Sequence, residues 1–206
     1  MVLEAGVVIV SVALALALRP WRLLAGHPRL LTPLLATLVI LPWLWALPAL
    51  HHMPLQLQWS GAVLVLLMFG WPLAIPVLLL VAGIAWAISP MGAEAAIALA
   101  VWQGLLPATL ALLLGAALRR WLPPHPFIYV LGRGFLGAVL CLFAAGLLAQ
   151  AFSAPLPGVS DNLGKVARWL MAWGDAFVTG MLTAVFVAFK PEWLLTWSDA
   201  RYLAKP

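Results

Sequence analysis

The sequence has few charged residues. Asp, Glu, Lys and Arg make up 8% of the 206 residues, whereas 66% of the residues are apolar and twelve are tryptophan. A water-soluble domain of this composition would expose large apolar patches. Long apolar runs can satisfy their backbone hydrogen bonds inside a bilayer as helices. The composition therefore predicts an all-helical, polytopic integral membrane protein.

Cysteine and acidic residues are also scarce. The single cysteine, Cys141, excludes an internal disulfide, and there are six acidic residues. We find no paired carboxylates, no nucleophile with a neighbouring base and no glycine-rich phosphate loop. We therefore expect a protein that is not an enzyme and has no cofactor of its own.

The apolar stretch 56–88 organises the rest of the chain. It is too long for one straight span, which needs about 20 residues, and Gly70-Trp71-Pro72 interrupts it. Glycine followed closely by proline stops a helix and turns the chain. The pattern favours a hairpin of two short helices, 56–69 and 73–88, and the alternative is one long kinked helix.

Seven apolar segments follow from this interpretation. They cover residues 2–18, 31–49, 56–69, 73–88, 93–118, 127–151 and 166–189. The first is interpreted as a span rather than a signal peptide, because no basic region precedes it and no small-residue cleavage site follows.

The basic residues predict an orientation. The net charge of +5 comes from residues at the segment ends, so we expect a lipid bilayer and no nucleic acid as the partner. Three basic regions, 19–29, 119–120 and 190–205, fall on one side if the hairpin is present. For a protein of the bacterial inner membrane, the positive-inside rule then places the amino terminus outside and the carboxyl terminus in the cytoplasm.

We expect one transmembrane domain, 1–190, and a cytoplasmic interfacial tail, 191–206, that lies along the membrane or docks on a partner.

Asp175 is the acidic residue that lies well inside a predicted span. Thr179 and Thr183 follow it on one helical face, and beside them runs a stripe of small residues that would let helices approach closely: Ala176, Gly180, Ala184 and Ala188. Both rows predict that this helix faces the bundle. Asp175 could contact a solute or cation, or it could pair with Arg133 or bind neighbouring backbone.

The loop before the hairpin carries candidate metal ligands. His51, His52 and Met53 supply imidazole and thioether groups, which suit nickel, cobalt or copper. The alternative is a polar loop at the level of the lipid headgroups. We expect a site for a transition-metal substrate, nickel or cobalt, formed by this loop, the amide of Gln58 and the carboxylate of Asp175.

Three segments carry a resemblance to a known family. The hairpin with its GWP turn, the segment PHPFIYVLGRGFLG (124–137) and the closing segment DAFVTGMLTAVFVAFKPEWLLTWSDARYL (175–203) resemble energy-coupling factor (ECF) transporter permeases of the cobalt and nickel class. The resemblance implies seven spans and a role as the substrate-capture component of an ABC-type importer. Its implied partners are a coupling transmembrane subunit and a pair of ATPases, which would supply the energy.

Two ligand positions depart from that family's pattern. Its metal-binding members begin Met-His and carry a histidine twelve residues before the hairpin glycine, where this chain has Val2 and Gln58. Asp175 matches an acid of the last span. The departures leave a second interpretation open, in which the chain is a non-transporting membrane subunit that assembles with partner membrane proteins.

Overall fold

A computed structural model of the chain describes residues 2–51, 59–152 and 161–202. The described residues form helices and no strands. The helices are α1 (Val2–Ala17), α2 (Pro20–Gly26), α3 (Leu31–Leu50), α4 (Ala62–Ile88), α5 (Ala93–Trp121), α6 (Ile128–Phe152), α7 (Asp161–Phe189) and α8 (Asp199–Tyr202). Helices α3 to α7 are each long and apolar enough to cross a membrane, and α1 with α2, bent by 49°, could form a sixth span.

Local sequence accounts for the main breaks between helices. Arg19 adopts a left-handed conformation (φ 54°) and Pro20 opens α2, so the chain bends between α1 and α2. Pro123 and Pro124 follow the end of α5, where proline cannot continue the hydrogen-bond ladder. The apolar runs predicted from the sequence are therefore separated where glycine, proline or charge interrupts them.

Helix α4 is broken at Gly70. This residue has φ 68° and ψ 162°, which is outside helical geometry. The Ser60 hydroxyl donates to the Gln103 carbonyl at 2.5 Å, and a Cβ placed on the adjacent Gly104 would lie 3.5 Å from the Cβ of Leu78. Ser60 and Leu78 thus contact neighbouring residues of α5 and lie at about the same height in the bundle. In a straight helix, residues 62 and 78 would be about 24 Å apart. The chain therefore turns back at Gly70, as the hairpin interpretation predicts.

The first arm of the hairpin is shorter than predicted. It covers residues 62–69, about 12 Å of helix, which is less than half of a hydrocarbon core about 30 Å thick. Residues 59–61 before it are not helical, and Gly61 has φ 64°. The structure confirms five or six long apolar helices and does not confirm the count of seven spans, because this arm is a half-helix.

The carboxyl-terminal segment packs on the bundle. Leu195 and Thr196 donate their backbone N–H groups to the carbonyls of Met68 and Leu67, at 2.9 and 3.3 Å. These carbonyls lie at the end of the half-helix, where the last turn has no partners of its own. The carboxyl-terminal segment thus caps the end of the half-helix next to Gly70. Whether it also lies along a membrane surface stays a prediction.

The described parts of the three basic regions lie at one end of the bundle, which we call the basic end. The turn Pro28–Leu30 contacts the turn Pro191–Trp193, and Arg119 at the end of α5 lines a cavity with Tyr202. Their shared position is what the charge-based topology requires. Which face of a membrane this end occupies stays a prediction.

The small-residue stripe of α7 faces the bundle only in part. Ala176 and Gly180 are buried, whereas Ala184 and Ala188 are exposed. Four residues advance a helix by about 40° more than one full turn, so a four-residue stripe rotates gradually around it. The prediction that the whole stripe packs inside was therefore wrong for its last two members. The polar row beside it, Asp175, Thr179 and Thr183, is buried throughout.

Candidate functional site

The carboxylate of Asp175 lies at the start of the half-helix, inside the bundle. Asp175 is 7% exposed, and its Oδ2 accepts the backbone N–H of Ser60 at 2.5 Å. Its Oδ1 accepts the hydroxyl of Thr179 at 3.2 Å, one turn further along α7. Of the two structural roles considered from the sequence, the bond to neighbouring backbone is the one formed. Arg133 lies elsewhere, against the ring of Tyr129 and the backbone of Gly115.

Ser60 joins the half-helix to three other parts of the chain. Its hydroxyl donates to the Gln103 carbonyl and accepts the N–H of Ala62, the first residue of α4, at 3.2 Å. Its carbonyl accepts the indole N–H of Trp45 at 3.1 Å. We call Trp45, Ser60, Gln103, Asp175 and Thr179 the polar junction.

A local irregularity in α5 serves this junction. Residues Ala100–Leu105 form a π-helical turn, in which backbone bonds reach one residue further than in an α-helix. Such a turn leaves a carbonyl free to accept a side-chain bond, and the Gln103 carbonyl accepts the Ser60 hydroxyl here. Gly104 lets the Trp45 ring approach, since an added Cβ would lie 3.0 Å from its Cη2.

The electrostatics of the junction are complementary. The N-terminus of a helix carries a partial positive charge from N–H groups without intrahelical partners. The Asp175 carboxylate accepts the Ser60 N–H just before that helix begins. A carboxylate can bind a cation, and the N–H groups of a helix terminus can bind a polar solute. Here the two groups bind each other, so a solute would replace the bond between Ser60 and Asp175.

The metal-site residues predicted from the sequence are only partly described. His51 is exposed at the end of α3, and its Nδ1 lies 3.2 Å from the Leu47 carbonyl, one turn back on the same helix. His52, Met53 and Gln58 lie outside the described residues. In the described ranges 2–51, 59–152 and 161–202, no three His, Cys, Asp or Glu side chains form a group that could hold a metal ion. The proposed ligand set stays a prediction.

Sequence reasoning missed Ser60 and Trp45. The signal for Ser60 was present, because serine and glycine directly before a long apolar run are typical of a helix start. Trp45 carries no comparable local signal. Its bond to Ser60 spans fifteen residues and depends on the fold-back at Gly70.

Comparison with known proteins assigns the chain to no family. No protein-family model matches the chain, and neither curated protein sequences nor solved structures give a significant match.

Proposed function

We propose that this chain is the membrane-embedded, substrate-capture component of an ECF-type importer, with a transition-metal cation such as nickel or cobalt as its cargo. A coupling membrane subunit and a pair of ATPases would be its partners and supply the energy. The amino terminus is proposed to lie outside and the carboxyl terminus in the cytoplasm. The proposal rests on the resemblance of the three sequence segments and on the polar junction.

One structural observation carries the proposal. The half-helix begins inside the bundle, where Ser60 before its first turn binds both the Asp175 carboxylate and the Gln103 carbonyl of α5. Broken helices whose ends lie within a bundle are typical of solute sites in membrane transporters, because they expose polar backbone groups away from lipid. In the sequence, the segment 51–58 comes two residues before Ser60 and carries His51, His52, Met53 and Gln58.

A second function is favoured by a different observation. Both oxygens of Asp175 accept hydrogen bonds from within the chain, so the carboxylate has a sufficient structural role without cargo. Under this alternative the chain is a non-transporting membrane subunit. Its exposed apolar faces would then pack against partner membrane proteins as well as lipid.

Metal binding by the purified protein separates the two functions. Titration calorimetry with nickel and cobalt at pH 7.5 should give saturable heat, and binding should weaken at pH 5.5 because protons compete for imidazole nitrogens. The double variant His51→Ala/His52→Ala should lose most of the affinity, about tenfold or more for removal of ligands.

The other two histidines provide a matched control. His27 and His125 are exposed. The Nδ1 of His27 lies 3.0 Å from the Leu23 carbonyl, and the Nδ1 of His125 accepts the N–H of Phe127 at 3.2 Å. The variant His27→Ala/His125→Ala should bind metal as the wild type does. Equal loss in both double variants would indicate surface binding, and an absence of metal-dependent heat in the wild type would favour the non-transporting subunit.

A further inference from the structure

A buried arginine at the basic end has no acceptor for part of its guanidinium. Arg133, in the first turns of α6, is 5% exposed. Its Nε and Nη1 atoms are buried and have no hydrogen-bond partner in the part of the chain that the structure describes. An arginine is always charged, and leaving its donors buried without acceptors is costly. Part of the guanidinium of Arg133 therefore lacks acceptors within the described chain.

The position of Arg133 is fixed by the surrounding chain. A Cβ on Gly115 would lie 2.6 Å from its Nη2, so the guanidinium lies flat against a glycine of α5 that leaves room for it. The Arg133 Cζ lies 5.3 Å from the ring centre of Tyr129. A cation over an aromatic face offsets part of the desolvation cost, but it supplies no acceptor for the N–H groups.

Arg133 lines a cavity. Its volume is about 110 Å³, and Tyr129, Tyr202 and Arg119 also line it. Arg119 is exposed at the end of α5, and Pro123 and Pro124 form the neighbouring wall. The cavity thus combines one buried and one exposed guanidinium.

The charge of the surroundings favours an anion. The described residues that line the cavity include two arginines and no acid. Asp199, an acid at the start of α8, accepts the indole N–H of Trp197 at 2.6 Å. It is not among the residues that line the cavity. Guanidinium groups bind phosphate oxygens with well-directed, charge-assisted hydrogen bonds.

We infer that the cavity lined by Arg133, Arg119, Tyr129 and Tyr202 is a binding site for a phosphate group. The phosphate oxygens accept hydrogen bonds from the guanidinium of Arg133, and Arg119 adds a second positive charge to the lining. The group comes either from a phospholipid headgroup at the membrane surface or from a soluble phosphate. This site is separate from the polar junction and does not depend on the importer proposal.

Thermal unfolding of the purified protein in a neutral detergent tests the inference. One series adds sodium phosphate against sodium chloride at equal ionic strength. A second adds phosphatidylglycerol against a galactosyl diacylglycerol, which lacks phosphate. We expect one or both phosphate compounds to raise the melting temperature saturably, because a ligand that binds only the folded state stabilises it. Stabilisation by phosphatidylglycerol alone identifies a lipid headgroup, and stabilisation by inorganic phosphate identifies a soluble source.

Arginine variants assign the effect to the cavity. Arg133→Gln should abolish the ligand-dependent shift, whereas Arg22→Gln, which removes an exposed arginine at the same end, should retain it. If Arg133→Gln does not fold, Arg133→Lys keeps the charge but loses the planar donor set, and its half-saturating ligand concentration should rise about tenfold. The inference is overturned if neither phosphate compound stabilises the wild type, or if the foldable Arg133 variant responds as the wild type does.

Discussion

Asp175→Ala should destabilise the protein by about 1–3 kcal/mol or more. The substitution removes both carboxylate oxygens, so the N–H of Ser60 and the hydroxyl of Thr179 lose their acceptor in a buried place. A buried donor without an acceptor costs more than the hydrogen bond itself contributed, since water cannot reach it. The first turn of the half-helix should loosen, and thermal unfolding in detergent should report a clearly lower melting temperature.

Two further variants make this result specific. Asp175→Asn retains one oxygen that can accept the Ser60 N–H, so we expect a smaller loss of stability than for alanine. Glu94→Gln neutralises an exposed acid near the start of α5 and should leave the melting temperature unchanged. If Asp175→Ala were as stable as Glu94→Gln, the carboxylate would not hold the half-helix.

Gly70→Ala should destabilise the fold by about 1–3 kcal/mol. At φ 68° and ψ 162°, Gly70 lies in a region that is accessible almost only to glycine. A Cβ there would also lie 3.3 Å from the Cδ2 of Leu195 in the carboxyl-terminal segment. The strain should therefore affect both the turn of the hairpin and the contact of the tail beneath it.

Gly83 in the second arm of α4 provides the matched control. A Cβ on Gly83 meets no atom within 4 Å, and alanine has the higher helix propensity. Gly83→Ala should be as stable as the wild type or more stable in the same unfolding experiment. Equal melting temperatures for Gly70→Ala and Gly83→Ala would mean that the turn does not need glycine at position 70.

The sequence predicted the helices well because apolar runs and their breaks are local signals. Segments such as 31–49 and 127–151 agree with α3 and α6 to within a residue or two. The fold-back at Gly70 was also predictable, from the glycine-proline signal and from the side on which the arginines of the first loop would otherwise lie. The start of the half-helix was predicted at 56 but lies at Ala62. The uncharged run extends back to 56, whereas the helix does not include Ser60 and Gly61.

The candidate site was less predictable because its contacts are remote in sequence. Asp175 could be selected from the sequence as a buried acid, but its partner Ser60 is 115 residues away. The direction of the tail was equally hidden. Leu194 and Trp197 are buried against the bundle, and the backbone N–H groups of Leu195 and Thr196 bind carbonyls of the half-helix, which lie far earlier in the sequence.

Cysteine labelling across the membrane tests the hairpin, the central claim, most directly. In a Cys141→Ala background, single cysteines replace three residues at exposed positions between helices: His51 after α3, Gly92 after α4 and Trp121 at the end of α5. The hairpin returns the chain to the side from which it entered, so an impermeant reagent should label positions 51 and 92 from the same face of the membrane, and position 121 only from the opposite face. Labelling of positions 51 and 92 from opposite faces would mean that α4 crosses once, and it would contradict the fold-back at Gly70.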